Sequence, residues 1–324
     1  MSAIVISLLT ALSLWAPNFI APLQVKDNVP MMPLEQWLMA LVELSPLAST
    51  VAAFLLTYLL AAMLFRMGVA HFFSQEQKYF PPFVMVLICS AFPVQKCLNG
   101  SYIAALFFML GLFHLLKVYR SERVFVSIFT AAIYLSVASL FSASAIFLLL
   151  LFPVALPLLH APTSWRDWVI ALCGVGLPYL YASAFFFLAE GNALLIFHRL
   201  YECLFQLSSW IFENGRMEEW VYWGYLLLLV ALAMLMLTRE MLTSHIKEKK
   251  IYTLFIWGFF IMLVVLVALP SGSVLLMPLM AIPASVLISN YLSITRYRFL
   301  ASVMFWGLIA LTYVVQYCSV ALST

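Results

Sequence analysis

The sequence predicts an all-α, polytopic membrane protein: a transmembrane helical bundle of about 11 spans and no soluble domain. Three observations carry this. Of the 324 residues, 66% are hydrophobic and only 9% charged, whereas roughly a quarter of residues in soluble domains are charged. Mean hydropathy is +1.08. The apolar runs, taken with their polar breaks, divide into segments near the ~20 residues that a spanning helix needs, and the longest stretch between them is about 30 residues. The chain therefore reads as a single integral membrane domain, residues 1–324.

The first run, "MSAIVISLLTALSLWAPNF", lacks a basic leading region and a small-residue cleavage signal, so it is expected to stay as a first span over 3–22. The segment that follows, "WAPNFIAPLQVKDNVPMMPLEQW" (15–37), introduces Lys26, Asp27 and Glu35 between two apolar runs. In "PLEQWLMALVEL" (33–44), Trp37, Leu41 and Leu44 share one helical face, with Glu35, Gln36 and Glu43 on the other. That pattern predicts a short helix lying in the membrane interface.

Spans are then expected over 47–65, 81–95 and 101–116. The 36-residue run from Val124 to Leu159 is divided at "FSAS" into two antiparallel helices, 124–140 and 142–159. A span over 168–189 follows. It is preceded by "SWRD", where Ser164 and Asp167 have the spacing of a helix cap, and "GVGLP" (174–178) within it suits close helix contact and a kink.

In "ALLIFHRLYECLFQLSSWIF" (193–212), Ala193, Phe197, Leu200, Leu204, Leu207 and Ile211 recur at spacings of four and three, with His198, Glu202, Gln206 and Ser209 on another stripe. This is a second interfacial helix. Four more spans close the list, over 220–238, 251–269, 274–292 and 299–319, with "HIKEKK" (245–250) as a cytoplasmic anchor.

Charge tests the topology. With the N-terminus in the cytoplasm and the C-terminus outside, twelve of the sixteen basic residues fall in inner loops, and eight of the thirteen acids fall in outer segments. That is the positive-inside pattern. Were 124–159 one long helix, everything upstream would invert and the separation would be lost.

No nucleotide-binding, zinc-protease or serine-hydrolase motif occurs, and no basic, aromatic-interleaved surface for nucleic acid. The five cysteines are scattered without paired spacing. His71, His114 and His160 show none of the close repeats of membrane iron enzymes, so neither a metal nor a cofactor is implied. The better constellation lies on the outer face: Asp27 just past the first span, Glu35 on the adjoining helix, and Lys96 and Arg199 as cations at the same level. A carboxylate can take an acceptor proton while cations hold a leaving phosphate. The plain alternative is a set of solvated surface charges.

From about Leu47 to Gly191 the chain resembles an uncharacterised inner-membrane protein family of Bacteroidota. The likeness rests on "FFSQEQKYFPPFVMVLICSAFP", "YIAALFFMLGLFHLLKVYRSERVF", "SVASLFSASAIFLLLLFPVAL" and "WRDWVIALCGVGLPYLYASAFFFL". The N-terminal part, 1–191, is also similar in arrangement to GT-C glycosyltransferases: one span, an outer loop with interfacial helices, then a series of short spans. Residues 192–324 add an interfacial helix and four spans. The resemblance implies a base at Asp27 and a polyprenyl-phosphate lipid as partner, although no second acid adjoins Asp27. The expected function is transfer or handling of a lipid-linked glycan on the periplasmic face of the inner membrane. Its rival is a non-catalytic membrane subunit of a secretion or envelope-biogenesis complex, with membrane-protein partners. A transporter ranks third, because intramembrane charge is sparse.

Overall fold

The computed structural model describes residues 2–21, 31–42, 45–71, 79–120, 124–160, 162–205, 217–240, 246–268, 276–295 and 298–321. Among these residues there are thirteen α-helices and no strand. In chain order they are α1 (Ser2–Ile20), α2 (Pro33–Val42), α3 (Pro46–His71), α4 (Phe80–Cys89), α5 (Gly100–Lys117), α6 (Val124–Phe141) and α7 (Leu151–Leu159). After these come α8 (Trp165–Glu190), α9 (Leu195–Phe205), α10 (Met217–Glu240), α11 (Ile246–Ala268), α12 (Met277–Ile294) and α13 (Arg298–Ala321).

Seven stretches are long and apolar enough to cross a membrane: Pro46–Val69, Gly100–Lys117, Val124–Phe141, Trp165–Ala189, Glu219–Leu237, Glu248–Val267 and Phe299–Tyr317. Four shorter apolar stretches, Ser7–Ile20, Phe80–Cys89, Ala143–Leu159 and Met277–Ser293, fall where the other spans were expected. The protein is a multi-pass helical membrane protein.

Side-chain contacts fix the direction of each helix. Gly174 on α8 lies so close to α6 that an added Cβ would stand 2.6 Å from Ala132 Cβ and 2.9 Å from the Phe129 carbonyl. Further along, Ser136 Oγ donates to Val175 O at 2.8 Å, and the Ser139 and Tyr179 hydroxyls meet at 2.6 Å. Numbers rise together on both helices, so α6 and α8 are parallel. The chain between them must return, which makes 142–159 a separate antiparallel leg, as the division at "FSAS" requires. It turns at Ser142, which is extended, and runs through a 3-10 helix (Ala143–Leu150) into α7. Similar pairings make α1 and α13 parallel: Ser13 to Tyr313 through their hydroxyls, and Gln316 Nε2 to Asn18 Oδ1 at 3.1 Å.

The centre is α12. Every residue from Leu276 to Tyr291 is buried, because α4, α5, α10, α11 and α13 surround it. A helix apolar on all sides suits that place.

α4 is the short element. Pro81 and Pro82 open it, and it ends at Cys89, well before residue 95 where the sequence pattern placed its end. Ten residues rise about 15 Å, half a hydrocarbon core. The chain continues through residues 90–99, largely irregular except for a 3-10 turn at Pro93–Lys96. This buried irregular backbone finds protein partners: Leu98 N donates to Ser49 Oγ at 2.9 Å, and Tyr102 Oη donates to Gln95 O at 2.8 Å.

The end of the bundle at Ile20, Pro46, Gly100 and Phe141 is called upper below. Both short amphipathic helices sit there. Trp37 of α2 meets Phe185 of α8 edge to face at 5.5 Å, and Phe197 of α9 stacks on Tyr179 of α8 at 6.0 Å.

Candidate functional site

Glu35 is the third residue of α2, and its carboxylate reaches across to α5, where Oε1 accepts the Gly100 N–H at 3.0 Å. Gly100 is the first residue of α5. The preceding Asn99 caps that helix, its Oδ1 accepting from Tyr102 N at 3.3 Å. An acid at a helix N-terminus is favoured by the free amides there.

The approach is possible only because residue 100 lacks a side chain. A Cβ there would stand 2.3 Å from Phe141 O and 2.6 Å from Glu35 Oε1. The carboxylate and the last carbonyl of α6 therefore converge on one point.

Burial dominates the electrostatics of this carboxyl. It pushes the Glu35 pKa up to about 7, against the lowering effect of hydrogen bonds from the Gly100 and Met32 backbone. Hydroxyls gather beside it. Ser101 Oγ and Ser142 Oγ are 3.4 Å apart, and Ser142 Oγ and Ser144 Oγ 3.1 Å. All three serines are buried, as is Asn99, whose Nδ2 has no partner among the described residues.

From the other side comes α9. Burial pushes the Cys203 thiol up to about 12, and the charges of Glu35 and Glu202 add to this while Arg199 opposes it. Glu202 pairs with Arg199 at 3.6 Å and with His198 at 3.1 Å. Arg199 keeps 40% of its side chain exposed.

Lys96 is placed differently from its expected surface position. It is fully buried, its Nζ donates to Leu14 O at 2.5 Å, and it lies 5.9 Å from the Trp15 ring centre. Trp15 Nε1 in turn donates to Ser90 Oγ at 2.9 Å.

Of the four residues singled out by sequence, the structure thus brings Glu35 and Arg199 to the upper end, on elements that share Cys203 as a neighbour. Lys96 lies within the protein, tied to α1. Asp27 falls outside the described residues, as does Glu43. Sequence reasoning missed Asn99, Gly100 and the three serines. The signals were present in "NGS" (99–101), a helix cap followed by a residue that admits close contact, and in the serines of "FSAS".

Chemically, the upper end holds a carboxyl able to take or give a proton near neutral pH, hydroxyls able to donate or accept, and one partly exposed guanidinium. No protein-family model, curated protein or solved structure gives a significant match to the chain.

Proposed function

We propose that this protein transfers or handles a glycan carried on a polyprenyl-phosphate lipid, at the periplasmic face of a bacterial inner membrane. The observation that carries the reading is Glu35: a carboxyl with a pKa of about 7 at the end of the bundle where both interfacial helices lie. A general base works best when its pKa is near the operating pH, and a lipid head group would arrive at this level. In this reading the upper end is the outer face, the bundle has eleven spans, and the termini are cytoplasmic and periplasmic respectively. The GT-C-like order of elements and the likeness to a Bacteroidota family belong to the same proposal.

The roles are divided by exposure. Glu35 takes the acceptor proton, alone or with Asp27. Arg199, partly free of Glu202, is the cation within reach of a phosphate. Lys96 fixes the upper part of α1, from which the chain leads on to Asp27.

The test is reconstitution in proteoliposomes with a radiolabelled sugar on polyprenyl phosphate. Wild type should release or transfer the sugar, and Glu35→Gln should lose at least about a hundredfold in rate at equal folded yield. Absence of turnover in wild type, together with recovery of the protein in a stable membrane complex, would favour the non-catalytic subunit instead.

A further inference from the structure

We propose that Glu35 is a proton-dependent latch: its neutral carboxyl fastens α2 across the upper end of α5 and α6, and its ionisation releases the helix. The inference goes beyond the glycan-transfer reading and does not depend on it.

Three geometric facts carry it. First, the carboxyl faces an acceptor. Glu35 Oε1 and Phe141 O both lie within 2.6 Å of the position that a Cβ on Gly100 would occupy. The Phe141 carbonyl closes α6, so it belongs to the electronegative end of that helix. An ionised carboxylate is set against it, whereas a protonated one is not.

Second, no cation among the described residues compensates the charge. Among the described residues, Glu35 forms no ion pair, and the two cations singled out by sequence are engaged elsewhere, Lys96 with Leu14 O and Arg199 with Glu202. α9 brings Cys203, Glu202, Arg199 and His198, two of which pair with Glu202. The upper ends of α3, α5 and α6 and residues 142–144 bring hydroxyls and amides and the buried Tyr102, and α8 brings Tyr179, whose hydroxyl is bonded to Ser139.

Third, α2 is held by contacts with other elements rather than by its own length. It is ten residues long, too short to be stable on its own, so its place depends on packing against α3, α5 and α6, on Leu34 in an apolar cluster with Tyr179, Phe186 and Ile196, and on Trp37 against Phe185. Trp37 itself is 57% exposed.

The direction follows from linkage. Burial raises the Glu35 pKa from 4.5 to about 7 in the docked helix. A docked form that binds the proton more tightly is favoured at low pH and loses that advantage as pH rises through 7. Between pH 6 and pH 8 the docking equilibrium should weaken about tenfold, and above pH 8 it should change no further.

Hydrogen exchange of the full chain in nanodiscs tests this, with rates corrected for the intrinsic effect of pH. Protection of Pro33–Val42 should fall about tenfold from pH 6 to pH 8, while α12 stays constant as an internal reference. Glu35→Gln keeps an acceptor for Gly100 N–H but cannot ionise, so its α2 should stay equally protected at both pH values. Gly100→Ala, which pushes the carboxyl off its amide, should leave α2 poorly protected at both. A wild-type α2 whose protection does not change with pH, or a Glu35→Gln variant with the wild-type slope, would overturn the latch.

Discussion

Replacing Gly100 by alanine is the smallest change that separates the packing at the upper end from its surroundings. Gly100 does not have positive φ, since Gly191 is the one residue of that kind among those described. Alanine therefore meets no backbone penalty. It meets only atoms: Phe141 O at 2.3 Å and Glu35 Oε1 at 2.6 Å, both nearer than a Cβ can tolerate.

Glu35 must leave the Gly100 amide, which costs about 1.5 to 3 kcal/mol for a hydrogen bond of this kind. Pushing back the end of α6 adds about 1 to 3 kcal/mol of overpacking. The better helix preference of alanine returns at most about 1 kcal/mol. The net expectation is a loss of about 2 to 4 kcal/mol, read by reversible unfolding in mixed micelles. Combined with Glu35→Ala, the loss should be less than additive, because one of the two clashes is already gone. A Gly100→Ala protein within about 0.5 kcal/mol of wild type, or strict additivity with Glu35→Ala, would refute the reasoning.

Three further outcomes are expected. Asn99→Ala should cost about 1 kcal/mol by uncapping α5, whereas Asn99→Asp, which keeps the acceptor for Tyr102 N, should cost only tenths; equal losses in unfolding measurements would count against the cap. Stability should fall by about 3 kcal/mol as pH rises from 4.5 to 7, because the folded protein holds a proton on Glu35 that the unfolded chain has lost; Glu35→Gln should flatten that slope. For topology, impermeant thiol reagents applied from the periplasmic side should label Gly215→Cys and not His245→Cys, and the reverse pattern would invert the bundle.

Much of the architecture could be read from apolar runs because each helix carries its own signal. "FSAS" marked a real reversal, since Ser142 leaves the helix at the point where the chain turns back beneath Glu35. Both interfacial helices could be placed at one end from charge alone, and Trp37 and Phe197 meet the same helix there.

Two things could not be read in this way. α4, at ten residues, is shorter than its apolar run over 81–95, because its length is set by the prolines and by neighbours able to satisfy an irregular backbone. Lys96 reads as a surface cation in a short polar turn, yet its ammonium is drawn inside by a carbonyl of α1 eighty-two residues earlier. The tie between Glu35 and Gly100 is equally non-local, spanning sixty-five residues. No periodicity encodes such a contact; only a glycine placed after a helix cap hints that something comes close.

The central claim is that the upper end carries a carboxyl that titrates near neutrality, and it can be measured directly. In protein labelled with ¹³C at glutamate side chains and held in lipid, carboxyl resonances are followed across the pH range in wild type and Glu35→Gln. The account predicts one glutamate with a midpoint near 7, absent from the variant. If every glutamate titrates in the ordinary range near 4.3, or if the neutral-range signal survives in Glu35→Gln, the account is contradicted.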